Sequence, residues 1–190
     1  MNLRLSLPGL RRALAIACLI LGPALASAQA TKPSTTYETI KWEALMPKDW
    51  DPMKGLNLPT SGLLIDDGDP RSQELMRKMR ESWDNAPTNA KMDGAAVKLA
   101  GYVVPLEESK AGLKEFLLVP YFGACIHSPP PPANQIIHVL ANPPLKGVNS
   151  MDAVWASGVV NTQRQNSEMG VSGYQMKAAR VEPYVPPTRR

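Results

Sequence analysis

The sequence predicts a mainly β domain with one flanking helix: a small, five-stranded, OB-like barrel preceded by an irregular segment. Three observations predict it. After Gly94, short apolar runs bounded by Gly, Pro, Asn and Ser follow one another with no room for helices between them. Before Gly94, one stretch repeats its apolar residues at helical spacing. The runs number five in about 90 residues, too few for two full sheets and enough for a closed barrel of the oligonucleotide/oligosaccharide-binding type. A length of 190 residues, with 44% hydrophobic and 20% charged, fits one globular domain. It excludes wholesale disorder, collagen-like repetition and a disulfide-stapled miniprotein. The unusual number is 19 prolines.

Residues 1–28 read as a secretory signal peptide. Arg4, Arg11 and Arg12 precede the apolar run Ala13 to Leu21, and Ala26-Ser27-Ala28 supplies small residues for cleavage before Gln29. The run is about half the roughly 20 residues a spanning helix needs, and Pro23 follows it, so no stable membrane span is expected. Arg11-Arg12 lacks the polar context of a twin-arginine signal, and Cys18 lies too close to Arg12 for a lipoprotein cysteine. The expected location is therefore the periplasm. Cleavage changes the charge arithmetic: 21 − 3 leaves 18 basic residues against 17 acidic ones, a net +1 in place of +4. A nucleic-acid partner is no longer indicated. Cys18 is lost too, leaving Cys125 as a lone thiol in an oxidising compartment.

The next region, 29–94, is expected to be an N-terminal extension carrying one helix. Gln29 to Thr36 is small and polar. Ile40, Trp42, Leu45, Met46, Trp50 and Leu56 form an apolar cluster broken by Pro47, Pro52 and Pro59, which permits a helical turn and an irregular path but no long element. Asp66-Asp67-Gly68-Asp69-Pro70 leads into the helix, with Asp69 as N-cap and Pro70 at the first helical position. From Arg71 to about Trp83, Leu75, Met76, Met79 and Trp83 fall on one stripe.

Residues 95–185 form the OB-like domain, with 186–190 as an extended tail. The expected strands are Ala96 to Val104, Glu115 to Pro120, Asn134 to Leu140, Ala153 to Val160 and Gly173 to Val181. Val97, Leu99, Gly101 and Val103 alternate with more polar neighbours. The last run alternates through Tyr174, Met176 and Ala178 and then slips by one to Val181. Trp42, Trp50, Trp83 and Trp155 read as core anchors, and the scattered methionines as packing rather than a copper site.

The chemistry concentrates between Phe116 and Gln135. Pro129 to Pro132 form a stiff connection between the second and third expected strands. Cys125 and His127 precede it, and in an extended backbone residues i and i+2 point to one side. Three chemistries can use the pair. A thiolate and an imidazole suit zinc or copper, with Glu107 or Glu108 as local carboxylates, Asp66, Asp67 and Asp69 more remote, and His138 available if it faces the same side. Nucleophilic catalysis would have His127 activate Cys125, but no orienting group or oxyanion donor is apparent. Thiol redox chemistry lacks a resolving cysteine. Plain packing competes with all three, since cysteine is often buried and Ala124 and Ile126 flank it. The aspartates at 66, 67 and 69 lack the rest of a calcium loop.

Gly101-Tyr102-Val103-Val104-Pro105-Leu106-Glu107 and Phe116 to His127, with Pro129 to Pro132 and Asn134-Gln135, resemble an exported bacterial family, domain of unknown function 3299, over roughly Trp42 to Tyr184. The most specific string is Gly-Ala-Cys-Ile-His-x-Pro-Pro-Pro-Pro-x-Asn-Gln. The resemblance implies an envelope protein encoded near an ATP-driven, ABC-type transporter and a histidine-rich periplasmic protein, in zinc-responsive neighbourhoods. Carried over by residue, it points to Cys125 and His127, with Glu107 as a weaker third, and makes His138 optional. The leading expectation is a non-enzymatic periplasmic accessory protein that binds Zn(II) through Cys125, His127 and Glu107 beside such a transporter. Its rivals are an interaction module in which Cys125 and His127 are structural, and a cysteine-dependent envelope enzyme.

Overall fold

The computed structural model describes residues 36–54, 70–126 and 130–186. The expected signal peptide, the Asp66–Asp69 turn with its cap, His127 and the end of the tail lie outside the described residues. In chain order the elements are β1 (Glu38–Thr39), α1 (Pro70–Asp84), β2 (Ala95–Ser109), β3 (Gly112–Val119), β4 (Ile137–Leu145), β5 (Ala153–Asn161), β6 (Gln165–Ser167), β7 (Gly170–Ser172) and β8 (Tyr174–Pro183).

The expected five-stranded barrel is present. The ring runs β2-β3-β4-β8-β5 and closes where β5 pairs back onto β2. All its pairings are antiparallel except β4 with β8. Counted as the first to fifth barrel strands, these run 1-2-3-5-4-1, the order of an OB barrel. Alternation sorts the two faces. Val97, Leu99 and Val103 of β2, Phe116 and Leu118 of β3, Ile137 and Val139 of β4, and Tyr174 and Met176 of β8 fill one interior cluster. The slip expected after Ala178 is a bulge: Ser157 faces Arg180 while Gly158 faces Ala178, so Ala179 is the extra residue and Val181 returns to the core. Two glycines permit the close approach of strands. A Cβ at Gly158 would lie 2.4 Å from the Lys177 carbonyl oxygen, and one at Gly101 2.8 Å from that of Val119.

Other boundaries differ. β2 continues past Val104 to Ser109, and Pro105, which has no amide hydrogen to give the ladder, sits beside register shifts that leave Leu106 of β2 and Lys114 of β3 without an opposite residue. The third barrel strand starts at Ile137, since Ala133–Gln135 forms a 3-10 turn. The hairpin β6–β7, inserted between β5 and β8, has no apolar run to announce it.

The helix is present from Pro70, but it is not a core element. None of its residues is buried, and Met76 is 51% exposed. Its surface carries Glu74–Arg77, Glu81–Arg77 and Glu74–Lys78 ion pairs, exposed contacts of small stabilising value. The tryptophans also depart from expectation, since none is fully buried. Trp42 packs against the core and donates from Nε1 to the Ala100 carbonyl at 2.8 Å. Trp155 lies on the outer face, against Tyr184 and beneath the Lys98 ammonium.

The extension is fastened to the barrel by buried polar groups. The Tyr174 hydroxyl donates to the Leu45 carbonyl and accepts from the Asn89 amide, both at 2.6 Å. Asn134 donates to the Pro87 carbonyl and Gln135 to that of Trp42. Tyr174→Phe keeps the ring but strips both bonds, leaving the Asn89 amide and the Leu45 carbonyl only their direct 3.3 Å bond to each other. Its unfolding free energy, measured in urea, is expected to fall by about 1–2 kcal/mol; an unchanged midpoint and slope would contradict this assignment.

Candidate functional site

Two features stand on the outside of the barrel. The first is the loop after β3. Outward residues Val104, Leu117 and Val119, with Ala124 and Ile136, make a second apolar cluster, against which Tyr102, Leu106, Cys125, Met151 and Met169 pack. The loop reaches it through left-handed backbone at Gly123 (φ 84°) and Cys125 (φ 67°). The Ile126 amide bonds to the Gly123 carbonyl at 3.3 Å, closing a turn, and the Gly123 amide donates to Met151 Sδ at 3.1 Å. A cysteine in this conformation is strained by about 1 kcal/mol, held there by the packing around it. The extended geometry expected to aim Cys125 and His127 to one side is therefore not what Cys125 adopts.

The electrostatics of the thiol are set mainly by burial, which pushes Cys125 up to about 11, partly offset by the Arg80 guanidinium of α1. Glu107 is ion-paired. It sits at the β2 bulge opposite Glu115, half exposed, with its carboxylate 3.1 Å from Lys114 Nζ. Among the described residues no three His, Cys, Asp or Glu side chains are grouped so as to hold a metal ion. The apolar side chains of the loop are turned outward instead. Of seven large hydrophobic residues exposed among those described, three lie here: Tyr121, Phe122 and Ile126. Phe122 is held by an edge contact with Tyr102 at 5.8 Å.

The second feature is a cavity of about 380 Å³ between this outer face and the β6–β7 hairpin. It is lined by Pro105 and Leu106 of β2, Glu115 of β3, His138 of β4 and hairpin residues 165–169. His138 is a hydrogen-bonded strand residue. It is 5% exposed, with Nε2 2.9 Å from Glu115 Oε2. That bond joins β3 to β4 and uses only one of the two ring nitrogens, leaving Nδ1. That Nδ1 is buried with no partner. Sequence reasoning missed Glu115 and Glu168. No local pattern marks them, because cross-strand register and an unannounced hairpin bring them to His138. Pro130 lies against the hairpin, since a side chain added at Gly170 of β7 would meet it at 3.0 Å.

The fold and these two features define a small OB-type barrel whose outer face, covered by a loop and a hairpin, carries the candidate chemistry. The chain belongs to the family described as protein of unknown function (DUF3299), whose model matches residues 42–183. It is similar to the crystal structure of a DUF3299 family protein from Pseudomonas aeruginosa PAO1, with 33% identity and a TM-score of 0.61 over 80% of this chain and 99% of that one. No curated protein matches the chain.

The raised thiol makes a direct prediction. Labelling of Cys125 by a thiol reagent is expected to be slow at pH 7 and to climb about tenfold per pH unit toward the value of about 11. Arg80→Ala, which removes the offsetting cation, is expected to slow it further. A reaction at pH 7 as fast as that of a free thiol would contradict the assignment.

Proposed function

We propose that this chain acts by binding rather than catalysis, as an exported accessory protein of envelope transition-metal homeostasis that docks through its Tyr121–Ile126 loop. The observation that carries the reading is the outward presentation of Tyr121, Phe122 and Ile126, 44%, 65% and 39% exposed, on a loop braced from below. Exposed apolar groups gathered in one place mark interaction surfaces. Cys125 then serves as packing, and a thiol held protonated near neutral pH is poorly suited to nucleophilic attack. The metal context rests on what the family resemblance implies, with an ABC-type transporter or a histidine-rich periplasmic protein as the partner.

A second reading is favoured by the Cys-x-His spacing itself: Zn(II) held by Cys125 and His127, with Glu107 or a partner's side chain completing the site. Zinc would have to displace a firmly held proton beside a cation, so affinity would fall about tenfold for each pH unit below about 11. One set of strains separates the readings: growth under zinc chelation with chromosomal Phe122→Ser/Ile126→Ser or Cys125→Ser/His127→Ala. Docking predicts a defect close to that of the deletion for the first pair and a smaller one for the second. Zinc binding predicts the reverse, together with stoichiometric zinc in reconstituted protein. A deletion strain that grows normally would sink both.

A further inference from the structure

We propose that Met151 is an oxidation site: hydrogen peroxide, turning its thioether into a sulfoxide, releases the Tyr121–Ile126 loop from the barrel. The loop is tied down through this sulfur. The Gly123 amide donates to Met151 Sδ at 3.1 Å, across 28 positions of sequence. Met151 itself is held from the other side. Its left-handed backbone (φ 65°) is fixed on β2, where its amide donates to the Val103 carbonyl at 2.7 Å and the Asp152 carbonyl accepts from the Val103 amide at 3.1 Å. Its side chain packs on the apolar cluster of Val104, Leu117, Val119, Ala124 and Ile136, yet the residue is only half-buried and so open to a small solute.

The step is a two-electron oxidation. A sulfur lone pair attacks one peroxide oxygen, the S–O bond forms as the O–O bond breaks, and the departing oxygen takes a proton and leaves as water. The product is polar where the thioether was apolar, and acceptor strength moves from sulfur to the new oxygen. A separation of 3.1 Å leaves no room for that atom between sulfur and the amide nitrogen. In one epimer the oxygen therefore displaces the amide, and in the other the amide keeps only a weakened acceptor. Either way a polar oxygen is left against the apolar cluster, at a cost. Cys125 is the slower target, because peroxide attacks the thiolate and burial keeps this thiol protonated. Met53 and Met76, 40% and 51% exposed, oxidise readily but lie outside the cluster. That the release abolishes docking rests on the reading above, whereas the modification and the release do not.

The test is hydrogen exchange of the full chain at pH 7, before and after hydrogen peroxide, with the oxidation of each methionine read by mass spectrometry. Oxidation of Met151 is expected to speed exchange in the 121–126 segment about tenfold and to leave β4 unchanged. Met151→Leu is expected to abolish the response, and Met169→Leu, in the same cluster, to keep it. Met151 left unmodified once Met53 and Met76 are oxidised overturns the proposal. So does an oxidised Met151 with unchanged exchange in the loop, or an equal response from the parent and Met151→Leu. The docking reading fails separately, through normal growth of the Phe122→Ser/Ile126→Ser strain, whatever the exchange shows.

Discussion

Closure of the ring by the β2–β5 ladder is the constraint on which the rest of the molecule depends. Once β5 pairs back onto β2, five strands enclose one apolar interior and no edge of the ring stays unpaired. The circumference leaves little room, and Gly158 and Gly101 stand where strands approach too closely for a side chain. Closure also turns Val104, Leu117 and Val119 outward, and apolar groups on that face need cover. The loop after β3 and the hairpin before β8 supply it. Both candidate features are consequences of how a small barrel protects its outside.

The two features are neighbours. Leu106 and Met169 contact the cluster beneath Cys125 and also line the acidic cavity, while Pro130 lies against Gly170. Pro130 therefore lies against the hairpin. The cysteine loop and the groove therefore share one apolar layer.

The barrel was legible in the sequence because it rests on local signals. Alternation in Val97 to Val103 and Tyr174 to Met176 names the inward face, and the slip to Val181 marks the bulge before any partner strand is known. The helix was legible for the same reason, whereas the burial of its stripe was not. Periodicity reports which residues share a face, but Met76 shows that nothing need cover it. The site was less legible. Cys125 stood out by composition, yet its left-handed backbone is set by the Gly123–Ile126 turn and the packing beneath, which spacing does not encode. The Glu115–His138 pair depends on register between β3 and β4, and the cavity on a hairpin without an apolar run. Both are long-range facts.

The Tyr174 hydroxyl bond to Leu45 spans 129 positions. A chain leaving the ribosome N-terminus first presents Leu45 long before its partner exists. The interior cluster likewise waits for β8, which pairs with both β4 and β5. No truncated product ending before Tyr174 can complete the ring, so the early segments stay uncommitted until β8 has emerged. High contact separation of this kind slows folding. It also makes the barrel conditional on β8, because only a chain carrying that strand can close the ring.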